Sequence, residues 1–141
     1  MSKLYTKDHF WLEKVAPDSP LRGSILPPLK QENLYIFGTS KYGIGELGEV
    51  VAVDIIKGNY RENETFGAVE SRKAAVDLSV PAISTVVHYN TQVDREPAKY
   101  LVSLNGNPEQ VWLAILQIDD PNLESLCMDV DAYKAYCDHT K

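Results

Sequence analysis

The chain has 141 residues, 44% hydrophobic and 24% charged, with a net charge of −6 at neutral pH. That length predicts one domain, residues 1–141, with room for a real core. The acidic balance argues against a nucleic-acid or anionic-membrane surface, which would need basic patches, and no apolar run is long enough to span a bilayer.

The opening MSKLYTKDHFW lacks the basic-then-apolar pattern of a secretory signal. Cys127 and Cys137 match neither a C-x-x-C redox pair nor a zinc pattern. Both point to a reducing cytoplasm with the thiols reduced. His9, His88 and His139 are scattered without partners at ligand spacing, so no metal site is expected.

Residues 4–15, LYTKDHFWLEKV, read as one opening strand with Trp11 packed inward. Residues 17–30 carry Pro17, Pro20, Pro27, Pro28 and Gly23. Prolines lack the donor a sheet needs, so this is a loop, partly extended. NLYIFG, 33–38, reads as the next strand. Thr39 or Ser40 can cap a short helix, which Gly43 and Gly45 weaken and Gly48 ends. Glu49 to Ile56 is mostly apolar and reads as a central strand, followed by a turn at Lys57-Gly58-Asn59.

Thr65 to Val80, TFGAVESRKAAVDLSV, is the stretch around which the rest is organised. Phe66, Ala68 and Val69 lead in; Val76, Leu78 and Val80 lead out at every second position. That spacing predicts two short strands joined by a tight turn. Lys73 stands near the apex beside Ala74 and Ala75, an exposed amine with little bulk around it. Pro81 to Asn90 reads as a β-branched strand, 91–108 as mostly loop, and Gln110 to Ile118 as a buried strand. Asp120 and Pro121 suit a helix start. A last helix over Asp129 to Asp138 has Asp129 and Asp131 at its positive end, with Tyr133, Tyr136 and Cys137 as its apolar stripe. The C-terminal 120–141 should therefore be helical.

The run FGAVESRKAAVDLSVP, Phe66 to Pro81, resembles the lipoyl-lysine hairpin of the glycine-cleavage H protein and its relatives. LYTKDHFWLE, GTSKYGIGELGEVVAVDI and DAYKAYC match further segments of that family in the same order. The resemblance implies a mainly β barrel-sandwich hybrid: two antiparallel sheets with a short helix and a helical C-terminus. It implies lipoate in amide linkage on Lys73. Glu70, Ser71, Ala74 and Asp77 would then shape the hairpin or guide a lipoate ligase or lipoyl transferase, although Glu70 and Asp77 read equally well as solvated turn acids. Gly67, Ala74 and Ala75 would keep the tip bare. Relative to the family, 17–30 looks like an insertion, read here as a surface loop.

Such a protein is a carrier rather than an enzyme. No Ser-His-Asp, Cys-His or paired-carboxylate arrangement stands out. Its cofactor's dithiolane is a two-electron couple, and the implied clients are glycine decarboxylase, aminomethyltransferase and dihydrolipoyl dehydrogenase. Three departures point to a different client. Phe10 stands where the family usually has a glutamate suited to an aminomethyl amine. Val111 replaces a glycine before Trp112. Arg72 replaces an uncharged residue, and a guanidinium there would favour anionic sulfur adducts or read as a solvated charge. Lipoate-binding relatives in sulfur-oxidising bacteria, working with a heterodisulfide-reductase-like complex, are the expectation these features favour. A non-lipoylated scaffold with the same fold stays open. Biotin fits less well, because its carriers place methionines beside the lysine.

Overall fold

The computed structural model describes residues 3–25 and 32–139. In chain order its strands are β1 (Leu4–Tyr5), β2 (Phe10–Lys14), β3 (Leu34–Thr39), β4 (Val50–Ile55), β5 (Gly58–Tyr60), β6 (Thr65–Ser71), β7 (Ala75–Ser79), β8 (Ser84–Tyr89) and β9 (Ala114–Gln117). Its α-helices are α1 (Lys41–Leu47), α2 (Gln92–Arg95), α3 (Pro97–Gly106), α4 (Leu123–Leu126) and α5 (Val130–His139). The strands form two antiparallel sheets. One runs β1-β2-β3-β9-β8-β5, the other β4-β6-β7.

The inner faces of the two sheets share one core. Phe10, Leu12, Phe37 and Leu116 of the larger sheet meet Val53, Phe66, Val69 and Leu78 of the smaller one. Phe37 anchors an aromatic row, with Phe10 at 4.9 Å on one side and Phe66 edge-on at 5.1 Å on the other. Offset and edge-on geometries add to the area these rings bury. Both the mainly β fold and the helical C-terminus follow the expectation.

Several local expectations are corrected. The opening strand is broken at residues 6–9, where a polar turn reverses the chain. His9 takes φ 73°, and Thr6 bonds Phe10 through backbone and hydroxyl. Four polar residues in a row supply turn chemistry that outweighs the β-formers around them. Within 17–30, Pro20–Ser24 form a short 3-10 helix capped by the Ser19 hydroxyl. Arg22 bonds the Val15 and Ala16 carbonyls, and Ile25 is buried beside Val15 and Leu34. That end of the loop is anchored; Pro27 and Pro28 lie outside the described residues.

Strand β4 is not central but lies at an edge of its sheet. Its apolar residues are explained otherwise: Val50 and Val53 face the core, and α3 lies along its free side. The segment 58–60 is strand rather than turn, paired with β8. Residues 91–108 hold two helices. Pro97 begins α3 at a position where its missing N–H costs nothing, and Tyr100 and Leu104, one helical turn apart, reach the core. The buried strand near the end is shorter than expected, Ala114–Gln117, because Pro108–Gln110 coil into a 3-10 turn. Asp120 caps a turn at Asn122 rather than a helix, which begins at Leu123.

The C-terminal helix closes on the N-terminal turn. The Tyr133 ring stacks on Tyr5 at 4.3 Å, and its hydroxyl lies 2.7 Å from His9 Nδ1 and 2.6 Å from Ser40 Oγ. Burial holds His9 below the usual histidine range, despite opposing pulls from Asp8 and Glu46. Burial likewise lowers His88. Both groups therefore resist protonation when folded, so their stability contribution is full above about pH 6.5 and declines as pH falls below it. The thermal midpoint should drop between about pH 7 and about pH 5, and His9→Asn, a residue that tolerates the left-handed backbone, should flatten that slope. An unchanged slope would remove His9 from this role.

Gly67 marks the tightest approach within the smaller sheet. A Cβ there would stand 2.1 Å from the Asp54 carbonyl oxygen and 3.1 Å from Ile55 Cα. Both obstacles are backbone, so β4 would have to move. Gly67→Ala should cost about 1–3 kcal/mol or more, in the range of core overpacking, as read by urea denaturation.

Candidate functional site

Strands β6 and β7 form the hairpin predicted from the alternation of apolar residues. Glu70 pairs with Ala75, Val69 with Val76, and Ala68 with Asp77. Phe66, Val69 and Leu78 are buried, so the hairpin's base is part of the main core. Its tip, Arg72 to Ala75, is exposed. Burial at one end and exposure at the other give a turn whose side chains face solvent.

Ser71 builds that turn. Its backbone N–H donates to the Ala74 carbonyl at 2.8 Å. Its hydroxyl accepts from the N–H groups of Lys73 at 3.3 Å and Ala74 at 3.2 Å, and also lies 3.3 Å from the Ala74 carbonyl. A serine hydroxyl can replace backbone partners in this way, closing a turn without glycine. None of residues 71–75 takes a positive φ. The Lys73 amide is thereby held while its side chain remains exposed.

One contact restrains the direction of that side chain. Gly48 closes α1 with φ 91° and ψ −163°, its N–H bonding the Ile44 carbonyl. This region of backbone space is essentially reserved for glycine. A Cβ on Gly48 would lie 3.5 Å from Lys73 Cε and 3.9 Å from Nζ. The lysine methylenes therefore pass over the bare end of α1. Ser40 caps the other end of the helix by accepting from the Gly43 N–H at 3.1 Å. The predicted short helix and its predicted end are both present.

The residues singled out from sequence are brought together only in part. Glu70, Ser71, Arg72, Lys73 and Ala74 share the tip. Asp77 lies further down β7, exposed and opposite Ala68. Gly67 is not at the tip; it sits within β6 against Asp54. Phe10 is 2% exposed and packs on Phe37, so it offers neither a carboxylate nor a polar surface. Trp112 and Val111 are partly buried against the core clusters. The passage of Lys73 over Gly48 was not read from the sequence. The isolated Gly48 at the end of a helical pattern was its only trace.

The glycine cleavage H-protein family model matches residues 28–140. This range contains the whole hairpin and α1. The chain belongs to that family. It is 30% identical over 138 residues to the glycine cleavage system H protein of Dinoroseobacter shibae (strain DSM 16493 / NCIMB 14021 / DFL 12), covering 93% of each chain. It is also 30% identical over 109 residues to the mitochondrial glycine cleavage system H protein 2 of Arabidopsis thaliana, covering 75% of this chain and 67% of the relative. Its fold is that of a glycine cleavage system H protein from Mycobacterium marinum, with TM-score 0.70 and 23% identity over 95% of this chain and 94% of that one. This is the barrel-sandwich hybrid expected from the resemblance. Members of the H-protein family are lipoyl-carrying shuttle components rather than enzymes, and carry their lipoate covalently on a lysine.

Replacing Gly48 tests the glycine-only geometry beside Lys73. Gly48→Ala should cost about 1–3 kcal/mol, the range for a residue forced into such backbone space. The measurement is the shift in chemical denaturation midpoint. A neutral result would mean that the α1 end can take another conformation.

Proposed function

We propose that Lys73 is the lipoylated residue and that the protein presents a swinging dithiolane arm to separate partner enzymes. One observation carries the assignment: an exposed lysine on a turn braced by Ser71, in a chain whose family bears lipoate on a lysine. The residues at the tip suit the group. Ala74 and Ala75 leave space for the acyl amide, and Gly48 leaves room along the lysine methylenes. When bound, lipoate supplies a two-electron disulfide/dithiol couple. The protein's part is placement: a rigid base in the core, a bare tip, and a lysine amine held out to solvent. Glu70, Ser71, Ala74 and Asp77 would be the surface met by the modifying ligase or transferase, with Ser71 fixing the shape of the turn. The whole chain acts as one carrier domain in the cytoplasm.

For the client, the relatives' names support the glycine cleavage system, in which glycine decarboxylase, aminomethyltransferase and dihydrolipoyl dehydrogenase share one carrier. A second reading is favoured by Phe10 and Arg72. Phe10 is sealed in the core and can offer an amine no charge or hydrogen bond. Arg72 is exposed beside Lys73 and can attract an anionic adduct. In that reading the cargo is an oxidised sulfur species and the client a heterodisulfide-reductase-like complex.

The attachment is tested by intact mass after incubation with lipoate ligase, lipoate and ATP. The wild type should gain one lipoyl group, and Lys73→Arg none. If the wild type stays unmodified with every lipoylation system tried, the protein is a scaffold and the carrier reading fails. Lipoylated protein is then offered to glycine decarboxylase with glycine: turnover matching that of a glycine cleavage H protein selects the first client, and its absence the second.

A further inference from the structure

We propose that the cleft between α1 and α5 binds a small molecule made of a planar aromatic ring bearing an anionic group. The site lies outside the hairpin and does not depend on the lipoyl reading. The cleft measures about 480 Å³, a volume typical of small-molecule pockets. From α1 come Lys41 and Tyr42, and from α5 come Val130, Tyr133, Lys134 and Cys137.

The apolar wall is in place before any ligand arrives. Positions 130, 133, 134 and 137 recur at helical spacing, so α5 turns one face to the cleft. On that face Tyr133 and Cys137 are buried, while Val130 is left 47% exposed. Tyr133 stacks on Tyr5, which also lines the cleft, with the two planes 7° apart. Both phenols are tied down. Tyr5 donates to Glu109 at 2.6 Å, and the Tyr133 hydroxyl bonds Ser40 and His9. The Tyr42 ring packs on His9 at 4.6 Å. Aromatic walls favour a flat ring, stacked or edge-on, and fixed side chains lose little freedom when it binds.

The charges select the sign of the ligand. Glu109 borders the cleft, but its carboxylate is already engaged. One oxygen accepts the Tyr5 phenol and lies 3.6 Å from Lys3 Nζ; the other accepts the Lys41 backbone N–H at 2.8 Å. The ammonium groups of Lys41 and Lys134 are exposed. Among the described residues they make no hydrogen bond or ion pair. Asp138, one turn beyond Lys134, is the remaining acid of the lining and is likewise unpaired among those residues. Two unengaged cations against one carboxylate leave the cleft locally positive. The chain as a whole carries −6, so this is a departure from its general field and not an extension of it. Lysines on long, flexible stems can close on an anion as point charges. A carboxylate and a phosphate monoester meet that requirement alike.

The test is an NMR titration of the full-length, unmodified protein with 2-naphthoate, and separately with adenosine 5′-monophosphate. The uncharged 2-naphthalenemethanol and adenosine serve as controls. The site predicts saturable shifts centred on Tyr42, Val130 and Lys134, weakening as salt rises. Lys41→Gln and Lys134→Gln should each weaken binding about two- to fivefold, the range for an exposed ion pair. Asp138→Asn should tighten it by about the same factor, because it removes the opposing charge. All three positions are exposed, and unchanged spectra away from the cleft check the fold of each variant. Binding of one anion but not the other supports the site and identifies its head group. Equal binding of charged and uncharged rings would overturn the proposal, as would shifts scattered over the surface. So would an affinity indifferent to all three substitutions. Lipoylation of Lys73 is read separately by mass and bears on none of these outcomes.

Discussion

The approach of β6 to β4 at Gly67 is the constraint on which the rest depends. With no side chain at 67, the Asp54 carbonyl lies where a Cβ would stand. That contact sets the spacing of the smaller sheet and brings Phe66 and Val69, on either side of it, into the core against Phe37. A turn five residues beyond a packed core pair inherits its rigidity. The mobile element can then be the side chain of Lys73 alone, since the backbone beneath it is fixed by buried area on one side and by the Ser71 hydroxyl at the tip.

This division of labour matters for a carrier. A flexible loop carrying the same lysine would lose conformational entropy each time it entered a partner's site, roughly 1–2 kcal/mol for each backbone residue ordered. Here the turn is ordered beforehand by the Ser71–Ala74 bonds. With an acyl group on Lys73, as proposed, only the lysine and acyl torsions would remain to be fixed on docking, which is preorganisation in its ordinary sense. The same economy explains the small residues that follow the lysine, Ala74 and Ala75, both exposed.

What could be read from the chain divides along contact distance. The hairpin was legible because strand alternation is a local signal, and the capping of α1 by Ser40 because a cap and its amide are three residues apart. The last helix was legible from Asp129, whose carboxylate accepts from the Ala132 N–H at 2.8 Å. Helix α3 was missed because 91–108 read as mostly loop, ending in the turn-forming run Asn105-Gly106-Asn107-Pro108. In the structure Pro97 opens the helix and that run closes it, and Asn105 serves Val50, far away in sequence. The position of β4 at an edge could not be read from its composition, since a helix covering an edge selects apolar residues as a neighbouring strand does. The Gly48–Lys73 contact joins an unlabelled glycine to a turn in another element, and nothing local announces it.

Phe10 shows how packing and cargo become tied together. At 2% exposure it belongs to the row Phe10–Phe37–Phe66 that runs from the larger sheet into the base of the hairpin. A carboxylate at that position would face a choice between burial, which penalises the charged form heavily, and displacement of the backbone at β2. Either would disturb the row of rings that supports β6. The residue pattern around Phe10 is therefore not a neutral surface on which a cargo-binding acid can be exchanged at will. A carrier with phenylalanine here has committed that position to its core. Arg72, exposed on a turn that Ser71 already holds, carries no such structural burden.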